Sequence, residues 1–481
     1  MGNEEGTRKP KGDGRIPEGI PTGRTPEGQK PSGSGQRAAQ GPAILDGREC
    51  PGERRVKQEK VLERVYDRRR LQWAWQKVRR NAGAAGIDAM TVESFAEREQ
   101  ELLSLIHEKL KAGTYRFKPA RRVLIPKPGS TKKRKLGIPV VMDRIVSQGI
   151  HQVFEEIFDG EFTSSNFGFR RGRSPHQAIG HVRQAVVEGY GWCAAIDLQQ
   201  FFDEIPHGLI LKLIGRRISD ERLLTLIARA LNAGVIIDGV FTKIGRGCPQ
   251  GSPLSPMLSN IVLHELDREL ESRGHRYSRW ADDFLILLKS ERAAKRVMES
   301  ISGYLEEGLG LPVNREKSWV APVRSVEFLG FQIFLGKIRV SQEARTRFKS
   351  KVREMTRRNN PLSVGQIIRE LNAYLRGWIG YYRIQEFQRV FRELDGFIRS
   401  RLRAMQLKKW KKPRKFQRRM IWAGFTSEQA RRTWIRMTKW QSVRRREARF
   451  VLNLTWFRRL GLFFLDDFTQ QNLELGFNVT R

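Results

Sequence analysis

Cysteine is nearly absent from this chain: Cys50, Cys193 and Cys248 are all that 481 residues contain, too far apart in sequence to form a Cys-x-x-Cys metal knuckle. Histidine is scarce as well, and the last of its seven copies is His275. With neither His nor Cys beyond that point, the C-terminal part cannot carry a zinc ribbon or a His-containing nuclease module. Long apolar runs are also missing. None approaches the roughly 18 residues of a membrane-spanning helix, and the N-terminus has no signal-peptide core. A soluble, cytoplasmic protein is expected. Acidic residues are few beside basic ones, 52 against 90, which gives a formal charge of +38 and a pI near 10.8. So one-sided a charge repels itself in isolation, and it implies a polyanionic partner. Nucleic acid fits better than a membrane surface. What is present in quantity is apolar material for a core: 39% of residues are hydrophobic, enough for two or three domains.

The composition shifts along the chain. Residues 1–50 hold eleven Gly and six Pro with almost no apolar periodicity, and residues 1–55 read as a flexible leader. From about Glu59 helical spacing sets in (Val61, Leu62, Val65; Leu71, Ala74, Val78), a loop follows over 82–89, and a second helix is expected across Val92 to Leu110. Residues 115–141 look like two extended strands joined by the basic loop Ser130 to Lys135, whose Lys and Arg could grip nucleotide phosphates. Taken alone, a solvated charge run explains that loop more simply. A helix over 143–158 precedes the glycine-broken basic loop 167–174. Residues 248–256, Cys-Pro-Gln-Gly-Ser-Pro-Leu-Ser-Pro, expose backbone that could meet template or nucleotide, or simply turn and cap the amphipathic helix from Met257 to Glu271. Phe328 to Phe334 looks like a last strand pair. Beyond Ser341 the pattern is helical and basic, with 34 Lys plus Arg against 11 Asp plus Glu and six of the eleven Trp in 341–481. Most of those Trp suit a core. The charge excess suits phosphate contact, because a merely solvated face mixes signs.

The most informative pattern is acidic. Asp197 ends the run Cys193-Ala194-Ala195-Ile196, and 85 residues later Asp282-Asp283 joins two short apolar and aromatic runs, 276–280 and 284–288. The latter reads as strand, tight turn, strand. If the first run lies beside that hairpin, three carboxylates meet at one sheet end, where their repulsion is costly unless cations sit between them. Oxygen ligands suit Mg2+, and two ions roughly 4 Å apart can serve the attacking and leaving oxygens of an in-line displacement. An isolated Asp-Asp pair more often serves solubility in a turn; the surrounding motifs overturn that here. Phe202, five residues past Asp197, could wall a sugar pocket or simply be core.

In this order the motifs resemble the reverse transcriptases encoded by bacterial group II introns. The likeness runs over residues 60–400: Gly86-Ile87-Asp88; Leu136 to Pro139 with Asp143-Arg144; Phe167 to Arg170 through His176-Gln177-Ala178; Asp197 with Phe201-Phe202-Asp203; Pro249-Gln250-Gly251 with Leu254-Ser255-Pro256. It continues through Ala281-Asp282-Asp283, Asn314 to Lys317, Phe328-Leu329-Gly330, and Leu371-Asn372 with Arg376-Gly377-Trp378 and Tyr381-Tyr382. The resemblance implies an α+β right-hand polymerase followed by a helical thumb: fingers over 56–190, a palm with a small antiparallel sheet over 191–340, a thumb or maturase domain over 341–405, and a basic Trp-rich nucleic-acid-binding region over 406–481. It also implies that Asp197, Asp282 and Asp283, with Leu198, hold two Mg2+ ions, which lower the primer 3′-hydroxyl pKa and steady the leaving pyrophosphate. Lys127, Arg134, Phe202 as the sugar-excluding ring, and Gln250 would contact the nucleotide. Arg170, Arg171, Arg173, Trp280, Arg376, Trp378, Lys408, Lys409, Lys411 and Lys412 would contact nucleic acid.

The implied function is RNA-directed DNA polymerisation, with binding of the parent intron RNA to assist splicing and retrohoming. The implied partners are that RNA, a primed RNA template, dNTPs and a DNA target. Missing His and Cys after His275 imply that no zinc-bearing endonuclease follows. Two rival readings are a maturase that acts mainly by binding RNA, and a polymerase recruited to another host role such as defence. Three departures stand out: Trp280 where the family usually has Tyr, Gln199-Gln200 for a common Lys-Gly, and Ser252 for a frequent second Gly.

Overall fold

The computed structural model describes residues 57–126, 133–243, 245–249, 251–410, 413–436, 443 and 445–468. The leader, Lys127, Gln250, Lys411 and Lys412 lie outside the described residues. The first expected helix is two, Val61–Tyr66 and Arg68–Asn81, because Asp67 turns extended and its side chain accepts from the Arg70 N–H as the second helix's cap. The second also divides, into Val92–Glu97 and Glu99–Lys111, at Arg98, which leaves helical geometry without a side-chain cap. Ten strands follow in chain order: β1 Ala120–Pro126, β2 Lys133–Ile138, β3 Trp192–Ala195, β4 Val235–Ile237, β5 Val240–Thr242, β6 Arg276–Trp280, β7 Asp283–Leu288, β8 Trp319–Pro322, β9 Phe331–Phe334 and β10 Lys337–Val340.

They form three sheets. β1 and β2 pair antiparallel, from Arg121 opposite Ile138 to Pro126 opposite Lys133, as the two-strand reading of 115–141 requires. The short hairpin β4–β5 then extends this sheet in the order β2-β1-β4-β5, with β4 parallel to β1. The central sheet is antiparallel, β6-β7-β3-β8. Its middle strands β3 and β7 are too apolar to face water, and helix Ser255–Ser272, whose Met257, Leu258, Ile261, Val262 and Leu266 are buried, helps cover the sheet. Helix Pro175–Val187 packs on β6 and opens with a capping box in which Ser174 and Gln177 satisfy each other's backbone amides. The last pair, β9 and β10, turns through Leu335-Gly336.

Helices Gln342–Met355, Val364–Tyr382 and Gln388–Lys409 build a helical unit with its own core around Phe348, Leu371, Leu375, Phe391 and Leu402. Its core is completed from far along the chain by Phe457, Leu462, Phe464 and Leu465. The expected division at 405/406 therefore falls inside a helix, and part of the basic C-terminal region belongs to this helical core. Residues between these two stretches make a smaller cluster of their own, Phe416, Met420, Ala430, Ala448, Val451 and Leu452.

Candidate active site

The antiparallel register of β3 with β7 sets Ala195 opposite Leu285. Two residues further along that register, Asp197 comes level with Asp283. β6 and β7 close at Trp280 opposite Asp283, leaving Ala281 and Asp282 as the two turn residues. Ala281 has φ +59°, a value natural for glycine at the first position of a tight hairpin turn and costly for alanine. Asp197 is held by its backbone: its N–H donates to Ser318 Oγ at 3.0 Å, and its carbonyl accepts from the Asn314 N–H at 2.8 Å. Lys317 Nζ stands 3.6 Å from Asp197 Oδ2. The Asn314 to Lys317 block is thus part of the same site.

Electrostatics tie the three acids together. Burial pushes the Asp282 carboxyl up, the charge of Asp197 adds to this, and the cations Arg134 and Arg279 oppose it. Asp283, exposed at the head of β7, is pushed up as well by the protein packed around it and by the charges of Asp282, Asp197 and Glu327. A site that raises its own carboxylates in this way favours an added cation. Among the described residues no three acidic, His or Cys side chains are drawn together tightly enough to hold a metal ion by themselves. Magnesium, which takes few protein ligands and fills the rest with water and phosphate oxygens, fits an all-oxygen set of that kind.

The expected nucleotide contacts surround this point unevenly. Arg134 lies on β2 opposite Ile125, near enough for Asp282 to feel its charge. Phe202 sits in the short helix Phe201–Glu204, half-buried and edge-on to Phe201 at 5.3 Å, and its carbonyl accepts from the Cys248 N–H at 2.7 Å. The loop after Gly247 is therefore fastened to the Phe202 backbone. Gly251, φ +117°, abuts the β1–β2 hairpin so closely that a β-carbon on it would stand 2.2 Å from Gly137 O. Leu198 buries its side chain and bridges to Val313.

Several residues expected on nucleic acid are engaged within the protein. Arg170 is almost buried and makes an ion pair with Asp159 at 2.7 Å, and its guanidinium also donates to the carbonyls of Phe162, Thr163 and Asn166. Trp378 is packed at 4.6 Å from Phe348 and 4.4 Å from Tyr382. Lys408 binds Asn359, and Lys409 donates to the Asn360 carbonyl at 2.9 Å, so both brace the 356–361 loop. Arg376 lies over the Phe463 ring at 5.3 Å, Arg173 over Phe167 at 5.6 Å, and Trp280 is half-buried against the Phe167 cluster. Arg171 is exposed.

Sequence reading missed the residues beneath the turn. Arg279 and Asp267 are both fully buried and paired at 2.5 Å, and Asn260 links them to the Gly168 carbonyl. An arginine inside a strand immediately before the acidic turn was the available signal.

Residues 125–333 match the family described as reverse transcriptase (RNA-dependent DNA polymerase), and residues 345–422 match the group II intron, maturase-specific domain. The chain is 33% identical over 304 residues to Protein YkfC of Escherichia coli (strain K12), covering 55% of this chain and 78% of that one. It is 36% identical over 197 residues to the group II intron-encoded protein LtrA of Lactococcus lactis subsp. cremoris, covering 40% of this chain and 32% of that protein's length. Among solved structures, a partial Cas6-RT-Cas1--Cas2 complex aligns with TM-score 0.33 and 22% identity over 51% of this chain and 42% of that one. Candida albicans telomerase aligns with TM-score 0.39 and 10% identity over 65% of this chain and 63% of that one.

Proposed function

This chain belongs to the family of bacterial group II intron-encoded reverse transcriptases and maturases, and from that premise we propose that it copies RNA into DNA by two-metal nucleotidyl transfer and binds its parent intron RNA to promote splicing and retrohoming. The observation that carries the reading is the register that brings Asp197 level with the Asp282-Asp283 turn. Reverse transcriptases use divalent metal ions, and here the two ions are Mg2+. When bound, they supply the positive charge that acidifies the primer 3′-hydroxyl and offsets charge on the leaving pyrophosphate. Asp197, Asp282 and Asp283, with Leu198, would hold them.

Arg134 and Lys127 orient the triphosphate, Gln250 lines the nucleotide pocket, and the Phe202 ring excludes a 2′-hydroxyl. The partners are a primed RNA template, dNTPs, the intron RNA and its DNA target. Among the described residues no helix is long and apolar enough to cross a membrane. The test is primer extension on an RNA template alongside binding of the intron RNA. Asp282→Ala is expected to abolish extension and leave RNA binding nearly intact; full extension by that variant removes the metal assignment.

A further inference from the structure

Arg279 is charged and wholly out of contact with water, the costliest arrangement a side chain can have unless its charge is paired and its donors are used. Both conditions are met. Its Nε donates to Asp267 Oδ1 at 2.7 Å and its Nη2 to Asp267 Oδ2 at 2.5 Å, a two-pronged pairing with an equally buried carboxylate. The remaining nitrogen, Nη1, donates to Asn260 Oδ1 at 3.0 Å and to the carbonyl of Ala281 at 3.0 Å. Asn260 in turn donates through Nδ2 to the Gly168 carbonyl at 2.8 Å. Gly168 lies directly against the turn: a β-carbon on it would be 2.2 Å from the Ala281 amide nitrogen.

The Ala281 residue is therefore gripped from two sides, by the Gly168 backbone at its amide and by the Arg279 guanidinium at its carbonyl. That carbonyl shares a peptide plane with the Asp282 N–H, so fixing its direction fixes the direction in which the Asp282 side chain leaves the backbone. Two forces act to loosen this turn when no cation is bound. One is the left-handed conformation of Ala281, and the other is the mutual repulsion of three carboxylates at one sheet end. A packing role alone would be met as well by an apolar side chain, since buried ion pairs are often replaceable by hydrophobic ones without loss of stability. The donor aimed at Ala281 has no apolar equivalent.

We propose that Arg279 is a positioning residue for polymerisation: held by Asp267 and Asn260, it clamps the Ala281 carbonyl so that the Asp282-Asp283 turn is set for metal before metal arrives. This rests on the polymerase reading, and the test separates the two. In the full-length chain, Mn2+ binding is measured by electron paramagnetic resonance without nucleic acid, and the Mg2+ dependence of primer extension is measured in parallel. Wild-type extension that Asp282→Ala abolishes establishes the polymerase reading, whatever Arg279 does.

Arg279→Lys keeps the charge but cannot fork between Asp267 and Ala281. It is expected to weaken Mn2+ binding about tenfold and to raise the half-saturating Mg2+ concentration by a similar factor, with amide exchange accelerated in the 280–284 segment. Ala281→Gly relaxes the left-handed strain, and added to Arg279→Lys it is expected to restore part of the metal affinity. Asn260→Ala, which leaves the ion pair in place, gives a second reading should the lysine variant fail to fold, and about a threefold loss of Mn2+ affinity is expected from it. A soluble Arg279→Lys protein that melts lower yet binds Mn2+ within twofold of wild type would overturn the proposal. So would strict additivity of Arg279→Lys with Ala281→Gly, or an unchanged Mn2+ affinity in Asn260→Ala.

Discussion

Gly330 and Tyr382 compete for one space: a β-carbon on Gly330 would stand 2.7 Å from the Tyr382 hydroxyl oxygen. Tyr382 ends helix Val364–Tyr382, its ring lies 5.1 Å from Phe331 on β9, and the neighbouring Tyr381 hydroxyl donates to the Leu329 carbonyl at 2.9 Å. The palm and the helical unit thus meet through two adjacent tyrosines seated on Leu329-Gly330. Gly330 also has φ +81°, where an alanine costs about 1 kcal/mol before any clash is counted. Gly330→Ala is expected to shift the helical unit and leave in place the aspartates, which β3 and the β6–β7 hairpin hold. Under a single-binding trap, long extension products should fall about fivefold while addition of the first nucleotide changes less than about twofold. Equal losses in both would mean that the joint does not govern grip on the product duplex.

A second glycine contact lies beside the proposed nucleotide contacts. Gly251 and Gly137 bring the loop after Pro249 against β2, the strand that also carries Arg134, with no room for a methyl group between them. Gly251→Ala must push that loop away from the hairpin. The expected result is a dNTP KM raised about tenfold with kcat lowered far less, because the carboxylates do not move. Steady-state kinetics on a primed RNA template separates this from a general loss of fold, which would lower the active fraction and leave KM unchanged.

How much of this was legible beforehand follows from where each signal lives. The hairpin around Asp282-Asp283 and the run ending at Asp197 were readable because strand, turn and strand are local patterns, and so were the loop of Gly168 and the helical character after Ser341. Pairing of β3 with β7 joins residues some ninety apart, so no local pattern fixes it; the acidic residues raised it as a condition and the family resemblance implied it. Arg279 looked like one more base in a chain that has 90 of them, and nothing local marks Asp267 as its partner. The same blindness worked the other way for Arg170 and Trp378, whose types suit RNA but whose partners Asp159 and Phe348 absorb them. The return of Phe464 and Leu465 to the thumb was hidden for a plainer reason: a few apolar residues in a basic stretch carry no period.

That distinction between engaged and free cations predicts the response to salt. Phosphate-dominated binding weakens linearly on a log-log plot, by roughly 0.7 per neutralised phosphate on single strands. Intron RNA affinity should therefore drop steeply as salt rises, and a flat response would contradict a phosphate interface. Exposed Arg171 and engaged Arg170 should behave differently. If the loop touches RNA, Arg171→Ala lowers the salt slope by about one at unchanged melting temperature. Arg170→Ala should instead destabilise the protein by about 3 kcal/mol or more, since it strands the buried carbonyls and Asp159 that the guanidinium serves.

The returning segment gives a prediction with a sign in pH. Asp395, on helix Gln388–Lys409, accepts from the N–H groups of Leu465 and Asp466, each at 3.1 Å, and so fastens residues 461–468 to the thumb. Burial lifts its carboxyl to about 6, although those two amides pull it down. Because the folded value lies above the ordinary 3.8, the folded state holds the proton more tightly. The stabilising contribution is complete below about pH 4 and is lost as pH rises through 6, by roughly 3 kcal/mol at most. Amide exchange over 461–468 should accordingly be slower at pH 5 than at pH 7 once the intrinsic rates are divided out. Asp395→Asn keeps an acceptor for one amide and cannot ionise. Its segment should exchange faster than wild type at pH 5 but lose the difference between the two pH values, so that the curves approach each other near neutrality. Were the variant to keep the full pH dependence, the titrating group would have to be sought elsewhere, and Asp395 would be only a hydrogen-bond acceptor.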